Sequence, residues 1–386
     1  MKNTHRVFFA LLFLIAAPSQ AFAQTKTVDG ASLPRLNLSR PADHGGLNNY
    51  AFSPDGKKLA GASWIIRSLS NDGSPESIAG GEVFLWDTRK GGITKTLGSH
   101  EENPQWLRFT GDGKILGSYS DDDYTVKLWK GTAKKPKTVM ELGGPCGLNS
   151  PPRMSANGET FVHLVHRKLP IGENGLLAGH TLMGWDLKKK KQVWSISAEG
   201  SMGSIMARYG ASPDGEKVIV YIKHVEWREE NGRGRGANGE SYHVLLNAKT
   251  GEELWRVDGK SDKKLALGAQ VLFSPDGLEV IIAGNSGLYR YDASNGESIG
   301  EKIVVKEDDS LREVFFSEEG DRILVTRFFG KQVDVYAFPS GEHELAIKFE
   351  DSAKFTRACP TGDLKKIAGR LGFDPVVLDL SKVLKK

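Results

Sequence analysis

Short apolar runs of three or four residues, each closed by a polar turn, recur along the chain from about residue 50 to its end. Tyr50-Ala51-Phe52, Leu107-Arg108-Phe109, Val271-Leu272-Phe273 and Val314-Phe315-Phe316 each stop at such a turn. A second run restarts beyond it, as in Lys58-Leu59-Ala60, Lys114-Ile115-Leu116, Val218-Ile219-Val220 and Val280-Ile281-Ile282. The turn reads SPDG at 53–56, TGDG at 110–113, SANG at 155–158, SPDG at 212–215 and 274–277, SEEG at 317–320, and a worn PTGD at 360–363. Pro presets its own φ, Asp or Asn bonds the local backbone, and Gly accepts positive φ, so each signal predicts a hairpin of antiparallel strands.

A third run follows each hairpin: VFLW at 83–86, VKLW at 126–129, LMGW at 182–185, VLLN at 244–247, LYRY at 288–291, VDVY at 333–336 and VVLD at 376–379. A polar turn and usually a fourth run, such as Gln192–Ile196, complete the unit. Four short strands per unit and seven units predict an all-β chain folded as a seven-bladed β-propeller. Blades are expected at about 47–98, 104–142, 149–198, 205–258, 268–305, 311–350 and 354–384. The last unit ends after its third strand. Leu33–Leu38 is the spare strand expected to complete it, which would remove an open sheet edge.

The first residues read differently. Lys2 and Arg6, the apolar run 7–17 and Ala21-Phe22-Ala23 have the order of a secretory signal peptide cut near Ala23. The expectation is an exported chain, periplasmic or secreted, with residues 24–386 as a single propeller domain and a monomer. The apolar run covers about half of the roughly 20 residues that cross a bilayer, and no later run is longer, so no transmembrane segment is expected. The full 386 residues carry Lys+Arg 52 against Asp+Glu 48, a net charge of +4. That balance leaves no cation excess for phosphate neutralisation and argues against a nucleic-acid partner. The 2 cysteines, Cys146 and Cys359, fall in the third and seventh units and are expected to be unpaired thiols.

The second unit carries a fuller signature: Gly98-Ser99-His100, then Ser118 and Ser120, then Asp123, then Thr125-Val126-Lys127-Leu128-Trp129. In this it resembles the WD-repeat propellers, the exported bacterial kind in particular. The resemblance implies a buried hydrogen-bond chain of His100, Ser118 or Ser120, Asp123 and Trp129. Trp86-Asp87 and Trp185-Asp186 supply the eponymous dipeptide in units one and three, and units four to seven lack it. TGEELW at 250–255 and KQVWSI at 191–196 are similar to the outer-strand motif of pyrroloquinoline-quinone dehydrogenase propellers, where a Trp docks one blade on the next. Those propellers usually have eight blades. The SPDG turns also resemble those of the Tol translocation protein's propeller. All three likenesses speak to architecture, because the fold hosts many unrelated functions.

Function is read from the spacing of the turns. Successive signals are 57, 45, 57, 62, 43 and 43 residues apart. The excess falls between the second and third strands of units one, three and four, in segments 64–82, 166–180 and 224–242. Strand alternation sends all three to one face, opposite the SPDG turns. Insertions on a rigid scaffold are common carriers of function. The reading is a non-catalytic interaction scaffold for a protein, peptide or polysaccharide. Its candidate binding residues are Trp64, Arg67, His166, Arg167, His224, Trp227 and Arg228, since Trp and Arg dominate binding hot spots.

The alternative is an enzyme or cofactor-binding protein that uses the central opening: a quinoprotein-like oxidoreductase, a lyase or a hydrolase. It would draw on the blade-to-blade connections 99–106, 143–150, 199–206 and 259–269. No catalytic residue, cofactor or metal is singled out. HExxH, CxxC and GxSxG are absent, and His163 and His166 would point to opposite faces of a strand. Gly234–Gly239 matches GxGxxG, but a strand rather than a helix follows, so it reads as a flexible loop. The basic turns at Arg89-Lys90, Lys134-Lys135 and Lys188–Lys191 read as solvated surface.

Overall fold

The computed structural model describes residues 25–384, apart from 40–43, 46, 48, 70–74, 102–103, 121–122, 131–137, 143–151, 172–174, 198–207, 231–232, 259–269, 285–286, 306–310, 328–329 and 373. In the outer parts of three long hairpins only the backbone is described. Among the described residues the strands form seven sheets, met in order along the chain. The protein is a seven-bladed β-propeller. Blade one shows the plan, with strands Asn49–Phe52, Lys58–Leu69, Pro75–Asp87 and Ile93–His100 running from the innermost position to the outermost. The remaining blades begin at Trp106, Arg153, Tyr209, Gln270, Leu311 and Phe355.

The second strand of each blade is apolar on both faces because a neighbouring blade covers each face. Glu279–Gly284 and Arg322–Arg327 are buried at every position but the first. Seven apolar cores result, one for each blade-to-blade interface. The core between blades seven and one joins Leu47, Leu59, Phe84 and Trp86 to Ala368 and Val377, which closes the ring.

The turn signals form a second closed ring on one face. In six of them the Ser or Thr hydroxyl bonds the Asp or Asn carboxamide or carboxylate two residues on, as in Ser53 to Asp55 at 2.6 Å and Thr110 to Asp112 at 2.7 Å. Each turn then backs on the previous blade's turn. A methyl group at Gly113 would lie 3.2 Å from Pro54, and one at Gly56 would lie 3.3 Å from Thr361 of the last blade. The seventh turn is read one residue along from PTGD. Thr361 takes the hydroxyl position and Leu364, at φ 56°, takes the place of the glycine. Its fully buried side chain sits in the core between blades six and seven, which offsets the strained backbone.

The N-terminal segment closes the last blade. Arg35–Asn37 pairs antiparallel with Asp374–Asp379, placing Leu36 opposite Val377. The segment does more than the sequence suggested. Lys26–Asp29 adds a fifth, parallel strand outside His343–Lys348 of blade six, and a short 3-10 turn, Gly30–Ser32, carries the chain across to blade seven. In blade five the fourth position is not a continuous strand. Segment 298–303 meets the third strand at two isolated bridges, Tyr291 with Ser298 and Leu288 with Ile303.

Two expectations are corrected here. The three insertions are not loops: they are continuations of strands two and three. The strands are 12 and 13 residues long in blade one, 12 and 12 in blade three, and 14 and 15 in blade four. In blades two, five, six and seven each is 6 residues long. Gly234–Gly239 likewise lies inside the strand Arg233–Asn247. Its partner strand, Lys217–Glu230, is rich in β-branched and aromatic residues, and its pairing satisfies the glycine-rich backbone. Residues 1–23 and Cys146 lie outside the described residues. Cys359 is a free thiol. No helix among the described residues is long and apolar enough to cross a membrane.

Candidate functional site

Three places concentrate polar chemistry. The first is a buried chain at the junction of blades one and two. His100 ends the outer strand of blade one, and its Nε2 lies 2.7 Å from Ser118 Oγ on the second strand of blade two. Its Nδ1 lies 2.9 Å from Asp123 Oδ2. Trp129 Nε1 donates to the same Ser118 Oγ at 2.8 Å. Donor and acceptor logic fixes the order: the indole donates to the serine, the serine to Nε2, and Nδ1 to the carboxylate. Burial lowers the His100 pKa in spite of Asp123, in keeping with this neutral tautomer. Burial opposes the charge on Asp123, but bonds from His100 and Thr125 outweigh it and hold the carboxyl well below the usual range. Every member is internally satisfied, so the chain ties blades together and offers nothing to a ligand.

Blades three and six carry different knots. In blade three, Trp185 Nε1 donates to His163 Nδ1 at 3.1 Å, while His163 Nε2 has no partner among the described residues. In blade six the fully buried Asp334 accepts from Arg327 at 2.9 Å, His343 at 2.9 Å and Gln332 at 2.6 Å.

The second place is the face with the three long hairpins. At about 3.3 Å per residue, the extra six to nine positions raise their tips roughly 20–30 Å above the short hairpins. Trp64 lies half-buried over the segment that precedes blade one. A methyl group at Gly45 would come within 1.9 Å of the indole Nε1, and Gly45 N donates to Trp64 O at 2.9 Å. The indole therefore clamps the N-terminal segment on one side. The other candidates are placed by backbone register alone. Arg67 falls at an irregularity in the blade-one hairpin. His166 pairs with His180 and Arg167 with Gly179 in blade three. In blade four Trp227 pairs with Gly236 and Arg228 with Arg235, while His224 is the single residue opposite the bulge formed by Gly239 and Glu240. The hairpins bring these residues onto one side of the disc, on three separate blades. Blade two's short hairpin leaves a notch between the first two, where Tyr124 is 41% exposed.

The third place was not foreseen. Arg108 and Arg153 occupy the same innermost-strand position in neighbouring blades, two residues ahead of Thr110 and Ser155. Arg208 immediately precedes the innermost strand of blade four. In blades six and seven β-bulges introduce Arg312 and Arg357. An arginine inside an otherwise apolar inner strand, as in WLRF and RM, is the sequence signal that could have revealed this lining. The basic turns on the other face are partly neutralised: Arg89 pairs with Asp87 at 2.8 Å, Lys189 with Asp186 at 3.0 Å, and Lys188 with Glu159. Among the described residues no three His, Cys, Asp or Glu side chains gather as a metal ligand set.

The relationship to known proteins is one of shape. Many solved structures share this fold. One is a chain in a crystal structure described as that of a mitotic checkpoint complex, with a TM-score of 0.59 and 11% identity, covering 98% of this chain and 99% of that one. No protein-family model and no curated protein sequence matches. At such low identity the likeness speaks to the propeller, and the disc with its three raised hairpins must be interpreted from its own residues.

Proposed function

We propose that this protein is a non-catalytic interaction scaffold, exported as a monomer, that holds a protein partner on the face bearing the three long hairpins. The difference in strand length carries the reading. Four blades keep hairpin strands of 6 residues, while blades one, three and four extend theirs to 12 or more on the same side. Extended hairpins carry the chain far from the disc without disturbing its seven cores, which is how a rigid scaffold acquires a binding surface. The notch over blade two, floored by Tyr124, is open to a partner segment entering between the blade-one and blade-three hairpins. The similar chain comes from a structure described as that of a mitotic checkpoint complex, which supports an interaction role by analogy of fold.

The test is affinity capture from the exported fraction. The intact protein is compared with a variant whose three hairpins are trimmed to the strand length of blade two, with matched circular dichroism spectra. Loss of the captured partner on trimming is the expected result. Unchanged capture overturns the hairpin-face reading.

A further inference from the structure

The innermost strands neighbour one another around the axis, so their side chains meet in the central channel. Arg108 keeps solvent contact although protein encloses it, as a side chain does when it stands in a narrow water-filled passage. Arg153 and Glu313 come from blades three and six, on opposite sides of the ring, and still feel each other's charge. Arg208 and Arg108 both feel Arg153, and Arg357 feels Arg312 and Glu313. Among the described residues, arginines from five blades therefore cluster around the axis, and three of them, Arg153, Arg312 and Arg357, act on Glu313. Two of them are placed by backbone distortion. Arg312 is the extra residue of a bulge in blade six, and Arg357 sits in the left-handed region at φ 58° in a bulge of blade seven. Bulges re-aim side chains next to functional sites, and a strained non-glycine residue is retained where its direction matters.

We propose that the central channel is a binding site for a small oxyanion, a molecule bearing carboxylate or phosphate groups, held by Arg108, Arg153, Arg208, Arg312 and Arg357. Guanidinium groups match both oxyanions with paired N–H donors, and in a confined passage the attraction is screened less than at the surface. Arg153 already donates to Tyr209 O at 3.1 Å, which fixes its plane and leaves further donors for a ligand. Burial and the charge of Arg153 press the Arg108 guanidinium below its ordinary pKa. A bound oxyanion would relieve that repulsion. Among the described residues, Glu313 is the carboxyl whose charge acts on Arg153 and Arg357, and burial raises its pKa. This site is separate from the hairpin face and stands or falls without it.

The test is calorimetric titration at low ionic strength with two probes, pyrophosphate and citrate, against the whole protein. It is repeated with R108Q/R357Q, chosen because hydrogen bonds play no part in the electrostatics of either arginine. A surface control, K188Q/K189Q, alters exposed turn lysines. Saturable one-to-one binding of either probe is expected, weakened about tenfold or more in R108Q/R357Q and unchanged in the control. The probe that binds tighter identifies the phosphate or the carboxylate source. No saturable binding of either probe to the unaltered protein overturns the proposal. So does an equal loss in the control, which would place the anion outside the channel.

Discussion

Trp194, on the outer strand of blade three, donates its indole N–H to the carbonyl of Ala248 in blade four at 2.7 Å. The ring lies on Gly251, where a methyl group would sit 2.9 Å from Trp194 Cγ and where φ is 77°. The same device recurs one blade on, with Trp255 directed at Ala293 O at 3.4 Å and lying on Gly296. Replacing Trp194 by Phe removes one buried hydrogen bond and is expected to cost about 1 kcal/mol, while Ala is expected to cost about 3–5 kcal/mol. The longer Trp255 bond predicts a smaller loss for Trp255→Phe than for Trp194→Phe. Urea denaturation of the four proteins measures this, and equal losses for the two Phe variants would show that the bond lengths have no energetic meaning.

Ser118 is the pivot of the blade-two chain, because Trp129 and His100 both depend on its hydroxyl. Ser118→Ala leaves a buried indole N–H and a buried imidazole nitrogen unpaired, and is expected to destabilise by about 2–4 kcal/mol. A double-mutant cycle with Trp129→Phe is expected to be non-additive, since the second change removes one of the groups left unpaired by the first. Strict additivity would contradict the shared pivot.

Asp334 holds Arg327 and His343 in the interior of blade six. Burial disfavours its charge, but hydrogen bonds from His343, Gln332 and Arg327 keep its pKa below the ordinary value. Asp334→Ala removes the buried carboxylate paired with Arg327 and is expected to cost about 3–5 kcal/mol. Asp112→Ala, in a solvated turn, serves as the comparison and is expected to cost far less. Comparable midpoints for the two variants in thermal melts would refute the difference.

Acid should unfold the protein in two stages. Burial depresses His163 and His243 from an ordinary pKa near 6.5 to about 3 in the folded state. Neither ring is protonated in either state above that ordinary value, so neither affects stability there. Between roughly pH 6.5 and 3 the unfolded chain binds more protons than the folded one, and each histidine removes about 1.4 kcal/mol per pH unit. The depressed carboxyls of Asp123 and Asp334 act later. Their contribution is complete above the unfolded value near 3.8 and is lost as pH falls through their lower folded values. Denaturation midpoints are expected to hold between about pH 7.5 and 6.5 and to fall steadily from there to about pH 4, with a shallower slope in His243→Phe. A flat profile over that range would contradict the buried neutral histidines.

The sequence made legible what is set by local chemistry. A turn of hydroxyl, Asp and Gly must make a hairpin wherever it occurs, so the blade count followed from the turns, and the spare Leu33–Leu38 followed from the count. His100, Ser118, Asp123 and Trp129 could be grouped because one blade places them at recognisable spacings. The arginine lining could not be read in the same way. Arg153 and Glu313 are far apart in sequence and meet only because the ring brings blade three opposite blade six. Lys26–Asp29 has no hydrophobic alternation, and its strand exists because blade six offers an edge to it. Leu364 escaped the turn pattern because tertiary burial allows it a glycine's conformation. The hairpin segments looked like loops because their glycine and charge content masks strands that long partners impose.

Everything about faces and channel depends on a ring closed between Leu36 and Val377. The most direct measurement is a cysteine cross-link at that pair, Leu36→Cys with Val377→Cys in a Cys146→Ser, Cys359→Ser background, oxidised in dilute solution and followed by intact mass and non-reducing gel mobility. An intramolecular disulfide is expected in the double variant, none in either single variant, and a raised thermal midpoint once it forms. Failure of the folded double variant to cross-link would contradict the closed seven-blade ring.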